Sequence, residues 1–190
     1  MILGSHNSWS YAKVRQWYLR PFSFIAKCQH YGIIRQYKKG VRSFDLRVKF
    51  DGSTPQIVHN KFIFDISYYD LCEDLYFLNV KGDSSVRILL DIRNKKDYTA
   101  YQIERFVTYC KIFEATYPNI KFYGGSNLYN GKTEYKFEYN PTIDDKYASV
   151  AKPKYLDDWY PWIYAKFNNK KIYDEGTDKD ILLMDFIDII

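Results

Sequence analysis

Residues 86–92 form an almost continuously apolar run, which is typical of a strand buried on both faces. The segments on either side, 68–78 and 98–116, instead repeat their apolar residues at helical spacing. A buried strand between two amphipathic helices is the arrangement of parallel βα units. The sequence therefore predicts an α/β fold built around a parallel sheet.

Further segments continue this alternation along the chain. Residues 41–50 are predicted as a strand, and 56–59 as the strand that returns from it across a turn. Residues 133–139 resemble a hairpin strand within a polar region, and 156–167 are predicted as a helix despite a proline. Residues 181–190 are predicted as a final buried strand.

The length of the chain limits how complete such a fold is. A chain of 190 residues can bury one substantial core, but it is short for a complete eight-stranded α/β barrel. A trimmed barrel and an open sheet both fit this length. Because no repeat, low-complexity tract or linker interrupts the sequence, we expect one domain over residues 1–190.

Two of the three histidines stand where a predicted strand meets a loop, and they are His6 and His59. Histidine both accepts and donates protons near neutral pH, so such a pair indicates acid/base chemistry. Between them, Asp45 and Arg47 are two residues apart on one predicted strand and share a face. A carboxylate and a guanidinium beside two imidazoles indicate chemistry on a phosphodiester.

The formal net charge of +5 favours an anionic partner, such as a phospholipid surface or a phosphorylated substrate. The basic residues are scattered and no nucleic-acid-binding motif is present, so we do not expect nucleic acid as a partner. Cys28, Cys72 and Cys110 are odd in number and lie in apolar or helical patterns. We interpret them as buried thiols in a reducing compartment.

The N-terminus runs directly into the first histidine motif, without a recognisable cleavable signal, and no apolar stretch reaches about 18 residues. We therefore expect a cytoplasmic protein that associates peripherally with membranes at most.

Three motifs, in order and with similar spacing, resemble the X domain of phosphatidylinositol-specific phospholipase C. They are Gly-Ser-His-Asn-Ser at 4–8, Gly-Val-Arg-Ser-Phe-Asp-Leu-Arg at 40–47, and Val-His at 58–59. Residues 87–93 and 182–187 are similar to later strands of that family. The resemblance implies a single-domain, distorted and incomplete TIM-like barrel, with its site at the C-terminal ends of the strands.

The resemblance also implies a mechanism. His6 is expected to be the general base that removes the proton from the inositol 2-hydroxyl. His59 is expected to be the general acid that protonates the departing diacylglycerol oxygen, leaving a cyclic inositol phosphate. Arg47 would hold the phosphate oxygens as negative charge builds. The implied activity is that of a phospholipase C, a phosphoric diester hydrolase or lyase.

Arg47 also distinguishes the subtypes of this family. In its calcium-dependent members an acidic metal ligand lies where Arg47 falls, so the resemblance implies the bacterial, metal-independent type, with no metal and no cofactor. Arg93 likewise matches a position that is acidic in the calcium type and basic in a bacterial type, where it contacts the inositol. We therefore expect Arg93 to bind substrate.

Asp185 is the candidate for orienting His6, because a carboxylate that accepts the other ring N–H fixes the tautomer. Asp188, three residues further on the predicted strand, is the competing candidate. Asn7 is a candidate substrate-binding residue that stands where the bacterial enzymes carry an aspartate paired with the second histidine. His59 would then rely on another partner, such as Asp45.

Other functions remain open at this point. The asparagines at Asn7 and Asn60, the second in place of the family's usual glycine, suit a weakly active or silent member that binds a phosphorylated headgroup or a protein. A glycerophosphodiester phosphodiesterase has a similar barrel but uses carboxylates around a metal, which Arg47 contradicts. We expect a monomer that acts on a phospholipid or another phosphodiester at a membrane surface.

Overall fold

The computed structural model describes residues 1–92, 99–125, 135–145 and 160–190. Within these ranges the strands are β1 (Ile2–Ser5), β2 (Ser43–Lys49), β3 (Gln56–His59), β4 (Phe62–Ile63), β5 (Ser85–Leu90), β6 (Lys121–Gly124), β7 (Ile143–Asp145) and β8 (Ile181–Met184). The helices are α1 (Ile33–Lys38), α2 (Tyr68–Lys81), α3 (Ala100–Thr116) and α4 (Pro161–Glu175), with 3₁₀ segments at Trp17–Ile25 and Ile187–Ile189.

A curved run of parallel strands in the order β6-β5-β2-β1-β8-β7 forms the centre of the fold. The hairpin β3–β4 continues antiparallel from the C-terminal end of β2, where Val48 pairs with Ile57. In the part of the chain that the structure describes, β6 and β7 are the open edges of the parallel run. The sheet is therefore incomplete and unclosed, as the short chain predicts.

The central strand β5 confirms the prediction made from its apolar run. Every residue of β5 is buried except Arg87, which is partly exposed, and the strand pairs with β2 and β6. Helix α2 begins at a capping box, in which Ser67 and Asp70 bond reciprocally, and it ends at Gly82 in the left-handed conformation with φ 72°. These local signals give the predicted helix its bounds.

The sequence predictions for the last third of the chain are partly wrong. Residues 135–139 are not a strand, and the edge strand of this region is β7. The predicted helix at 156–167 instead begins at Pro161, which occupies the first turn because that position needs no N–H donor, and it continues to Glu175. Residues 156–159 lie outside the described ranges.

The final strand also stops earlier than predicted. Strand β8 ends at Met184, and Phe186 adopts a left-handed conformation with φ 45°, which an extended strand cannot contain. Its N–H donates to the carbonyl of Cys28, while the Asn169 amide donates to the carbonyls of Asp185 and Phe186. The chain therefore leaves the sheet at Asp185, the residue predicted to orient His6.

Candidate active site

The register of the sheet brings three predicted site residues together. At the C-terminal end of β1, Ser5 lies beside the last residue of β8 and an early residue of β2. The next residues along these three strands are His6, Asp185 and Asp45. Because the carboxyl ends of parallel strands meet at one edge of a sheet, residues far apart in sequence become neighbours there.

His6 is held at both its backbone and its ring. Its N–H donates to the Met184 carbonyl at 2.9 Å, and its Nδ1 lies 2.6 Å from Oδ1 of Asp185. A carboxylate accepts the Nδ1 proton, which leaves the lone pair on Nε2, the nitrogen that can take a proton from a substrate. His6 is 3% exposed, so the ring is almost fully removed from water.

Asp185, not Asp188, is the acid beside His6. Asp188 instead lies in the 3₁₀ segment after β8, where its Oδ2 is 3.0 Å from Nδ1 of the exposed His30. Burial raises the pKa of Asp185 to about 8, while a hydrogen bond with Cys28 and the charge of Arg47 oppose that rise. A positive charge on the contacting imidazole favours the carboxylate of Asp185 over its neutral form.

Asp45 is fully buried at the centre of a charge network. Its Oδ2 accepts from Nε of Arg47 at 2.9 Å and from the backbone N–H of Asn7 at 3.0 Å, and lies 3.8 Å from Nε2 of His6. Burial alone raises the pKa of Asp45, but Arg47, Arg87 and the Asn7 N–H hold it below its usual range. Asp45 is therefore an anion that lies near His6 and fixes the Arg47 guanidinium.

His59 faces His6 from the end of β3. The two ring centroids are 5.8 Å apart and the rings are perpendicular. Nδ1 of His59 donates to the backbone carbonyl of Ala26 at 2.8 Å, so a main-chain oxygen supports the ring at this position. The predicted acid and base are therefore in edge-to-face ring contact.

Asn7 and Asn60 share a backbone conformation but differ in their hydrogen bonds. Asn7 and Asn60 both have positive φ, 45° and 59°, and asparagine is among the few residues that tolerate this conformation. The backbone N–H of Asn60 donates to Asp91, and the positive φ is one that asparagine adopts where the sequence resemblance leads us to expect glycine. Asn7 contributes its backbone N–H to Asp45, while its buried side-chain amide has no hydrogen-bond partner in the described ranges. Arg93 lies outside the described residues.

The sequence analysis missed three residues of this site. Cys28 was interpreted as an ordinary core thiol, but its Sγ lies 3.8 Å from Nδ1 of His59 and it hydrogen-bonds Asp185. Gln29 donates to the carbonyls of His6 and Met184, both at 3.0 Å. Arg87 approaches Asp45 to 3.9 Å. A charged residue inside an otherwise apolar strand was the available signal for Arg87.

Comparison with known proteins gives one kind of match. No protein-family model and no curated protein matches the sequence. Among solved structures, phosphatidylinositol-specific phospholipase C from Listeria monocytogenes matches with a TM-score of 0.58 at 15% identity, over 97% of this chain and 87% of that chain. A variant of the Staphylococcus aureus phosphatidylinositol-specific phospholipase C matches with a TM-score of 0.62 at 16% identity, over 97% and 84%.

The chain has the fold of these phospholipases. The predicted distorted, incomplete TIM-like barrel is thereby confirmed. At such low identity the likeness carries the fold alone, so the activity of this chain has to be argued from its own residues.

Proposed function

We propose that this chain is a metal-independent phospholipase C that cleaves the phosphodiester of an inositol phospholipid. The observation that carries the proposal is the contact of His6, bonded to Asp185, with the ring of His59, next to the ion pair of Asp45 and Arg47. Acid/base chemistry needs one group ready to accept a proton and another ready to donate one. The two imidazoles meet that need, because each has its Nδ1 directed at an oxygen.

In the proposed reaction one proton is taken from the attacking hydroxyl and one proton is given to the leaving oxygen. Nε2 of His6 removes the proton of the inositol 2-hydroxyl, whose oxygen then attacks the adjacent phosphorus. The bond from phosphorus to the diacylglycerol oxygen breaks, and His59 protonates that oxygen. The products are diacylglycerol and a cyclic inositol phosphate, and the Asp185 carboxylate stabilises the His6 imidazolium.

Arg47 supplies the positive charge that this reaction needs. Its Nε is bound to Asp45, which fixes the direction of the guanidinium. A guanidinium carries five N–H donors in a planar fork, a geometry that suits phosphate oxygens as well as a carboxylate. A preorganised cation beside the developing charge of the transition state is the largest single contribution that such a site makes. The proposed metal independence follows from the position of this residue, where a metal ion would face a guanidinium.

The Trp17–Ile25 segment supports a membrane surface as the place of action. It exposes five large apolar side chains, with Trp17 exposed at 77%, and the others are Tyr18, Phe22, Phe24 and Ile25. Aromatic side chains of this kind partition into bilayer interfaces, and exposed apolar groups in such number mark an interaction surface. The next residue, Ala26, is the one whose carbonyl holds His59, so this segment leads from the proposed lipid contact into the site.

One fold neighbour is consistent with action at a membrane surface. The Staphylococcus aureus enzyme of the same fold is described in terms of its membrane binding. None of the helices in the described ranges is long and apolar enough to cross a bilayer.

The test is cleavage of phosphatidylinositol vesicles in excess chelator, followed by ³¹P NMR to detect the cyclic phosphate. We expect activity in the wild-type protein and its loss in His6→Ala and in His59→Ala. His30→Ala is the matched control, because this third histidine is 41% exposed in its side chain and pairs with Asp188 instead. Binding of the headgroup without turnover, or activity that survives both substitutions, would contradict the proposal and favour the silent-member hypothesis.

A further inference from the structure

Cys28 joins the two histidines in a cluster that acid/base catalysis does not require. One ring nitrogen of His6, one of His59 and the Sγ of Cys28 all lie within 4.8 Å of one another. Cys28 and His6 are buried, and His59 is partly exposed. Within the described ranges, this is the one group of three or more histidine, cysteine or acidic residues with that spacing.

The donor atoms suit a thiophilic divalent cation. Zinc prefers thiolate and imidazole ligands, and in a tetrahedral site its ligand atoms lie roughly 3.3–3.6 Å apart. The three candidate ligand atoms lie within 4.8 Å of one another, so a contraction of roughly 1 Å brings the cluster to that spacing. Three protein ligands leave a fourth position for water, as zinc sites with three ligands commonly do.

The surroundings of both histidines are those of metal ligands. Nδ1 of His6 donates to the Asp185 carboxylate, and Nδ1 of His59 donates to the Ala26 carbonyl. Ligating histidines usually donate their other N–H to a carboxylate or a main-chain oxygen, which fixes the ring and raises its basicity. The Arg47 guanidinium opposes a cation here, while Asp45 and Asp185 favour one.

We propose that His6, Cys28 and His59 bind a zinc-class divalent cation, and that the bound cation blocks the acid/base chemistry. On binding, the Cys28 thiol loses its proton to solvent and the thiolate binds the metal, with no change of oxidation state. An imidazole whose lone pair is donated to a metal neither accepts nor releases a proton. The blocking half of this inference rests on the proposed function, whereas the binding half does not.

The binding half is tested with cobalt(II), which reports thiolate ligation through a charge-transfer absorption that zinc lacks. We expect wild-type protein to develop this absorption at one equivalent of cobalt, to release a proton, and to lose the absorption when zinc is added. Cys28→Ser should lose the thiolate absorption and bind zinc at least about tenfold more weakly, since losing a ligand costs more than losing a residue that supports one. His59→Ala should show the same loss of affinity.

Cys72→Ser is the matched control, because Cys72 is a partly exposed thiol on α2 and not a member of the cluster. It should keep the full cobalt absorption. Cys28→Ala replaces the serine variant if serine does not fold. A wild-type protein without cobalt–thiolate absorption, or a Cys28 variant that binds zinc as tightly as the wild type, would overturn the inference.

The blocking half is tested by adding zinc during phosphatidylinositol cleavage and then adding chelator. We expect zinc to abolish the wild-type rate and chelator to restore it, while each Cys28 variant, compared with its own metal-free rate, needs at least about tenfold more zinc. An active protein that zinc does not inhibit would overturn this inference and leave the proposed function intact. A protein that binds cobalt through Cys28 but cleaves no phosphodiester would overturn the proposed function and the blocking, and leave the metal site.

Discussion

The Nδ1 atom of His6 lies 2.6 Å from Oδ1 of Asp185, although 179 positions separate the two residues in the chain. The contact exists because β1 and β8 are parallel neighbours whose last residues pair, so that the residue after each strand meets the other. Both partners are almost fully buried, at 3% and 4% exposure. The position of the proposed base is therefore decided by the pairing of the first and last strands.

This contact predicts the effect of Asp185→Asn. The amide carries no charge to stabilise the imidazolium, and its NH₂ group can donate to Nδ1 and favour the wrong tautomer of His6. We therefore expect the rate of phosphatidylinositol cleavage to fall by about 10²–10⁴-fold. The variant should still fold, because burial already disfavours the ionised form of Asp185. Initial rates on vesicles, with circular dichroism to confirm folding, give the measurement.

Asp188→Asn is the matched control for that experiment. Asp188 is three residues away and pairs with the exposed His30, where an ion pair contributes little. Its substitution should leave the rate close to that of the wild type. A large loss of rate in Asp188→Asn together with a small loss in Asp185→Asn would show that Asp188, and not Asp185, orients His6.

Arg47→Lys tests the proposed role of the guanidinium. Lysine keeps the charge but not the planar group that bonds Asp45 and a phosphate at once, so we expect the rate in chelator to fall by about 10²-fold. The control is Arg42→Lys, since Arg42 pairs with Asp83 at the surface and is partly exposed. Rates of both variants should be compared with and without calcium. A wild-type rate that depends on calcium would contradict the proposed role of Arg47.

The double substitution Trp17→Ala with Phe22→Ala tests the proposed membrane contact. Each side chain is more than half exposed and would bury apolar area in a bilayer, so we expect vesicle binding to weaken about tenfold or more. Cleavage of a short-chain, monomeric substrate should fall much less than cleavage of vesicles. Sedimentation with vesicles that contain phosphatidylinositol measures the binding directly.

Tyr69→Ala with Tyr76→Ala is the comparison for the membrane experiment. These tyrosines are also well exposed, at 70% and 63%, but they lie on α2. Their removal should leave vesicle binding nearly unchanged. Equal losses in the two double variants would show that exposed aromatic area in general, rather than the Trp17–Ile25 segment, sets the affinity.

The sequence identified the parts of the site that depend on strand pattern and motif order. His6, Asp45 and Arg47 stand within or beside predicted strands, and parallel pairing is enough to bring such positions together. Asp185 could not be separated from Asp188 by sequence, because the strand was predicted to run through both. The left-handed conformation of Phe186 directs the chain differently at Asp185 and at Asp188, and no residue pattern in the sequence predicts that conformation.

Cys28 could not be predicted because no periodic pattern places it. It follows the irregular Trp17–Ile25 segment, which contains a proline and whose path depends on tertiary contacts. The main-chain oxygen of Ala26 could not be predicted either, since every residue has a backbone carbonyl. The residues that support His59 are therefore the ones that only the folded chain reveals.

A last prediction concerns stability at Asp74, which lies on α2 away from the proposed chemistry. Its Oδ2 accepts a hydrogen bond from Trp9 Nε1 at 2.8 Å. Burial, with smaller effects from Asp70 and Glu73, raises the pKa of Asp74 to about 6 from its usual 3.8, although the Trp9 bond lowers it in part. The folded protein therefore holds this proton more tightly than the unfolded chain does, and its stability falls as the pH rises from about 4 to about 6.

Asp74→Asn should remove that loss. The amide oxygen still accepts from Trp9, and no charge is buried. We therefore expect the free energy of unfolding at pH 7 to rise by up to about 3 kcal/mol, since the rise in pKa is about two units and each corresponds to about 1.4 kcal/mol. At pH 4 the two proteins should be nearly equal. Asp70→Asn is the contrasting variant, because hydrogen bonds from Ser67 lower the pKa of Asp70, and its loss should destabilise the protein at pH 7. Urea unfolding of the wild type and both variants between pH 4 and pH 8 measures the expected gain for Asp74→Asn and the expected loss for Asp70→Asn. If Asp74→Asn stabilises the protein equally at pH 4 and pH 8, the titration of Asp74 is not the cause.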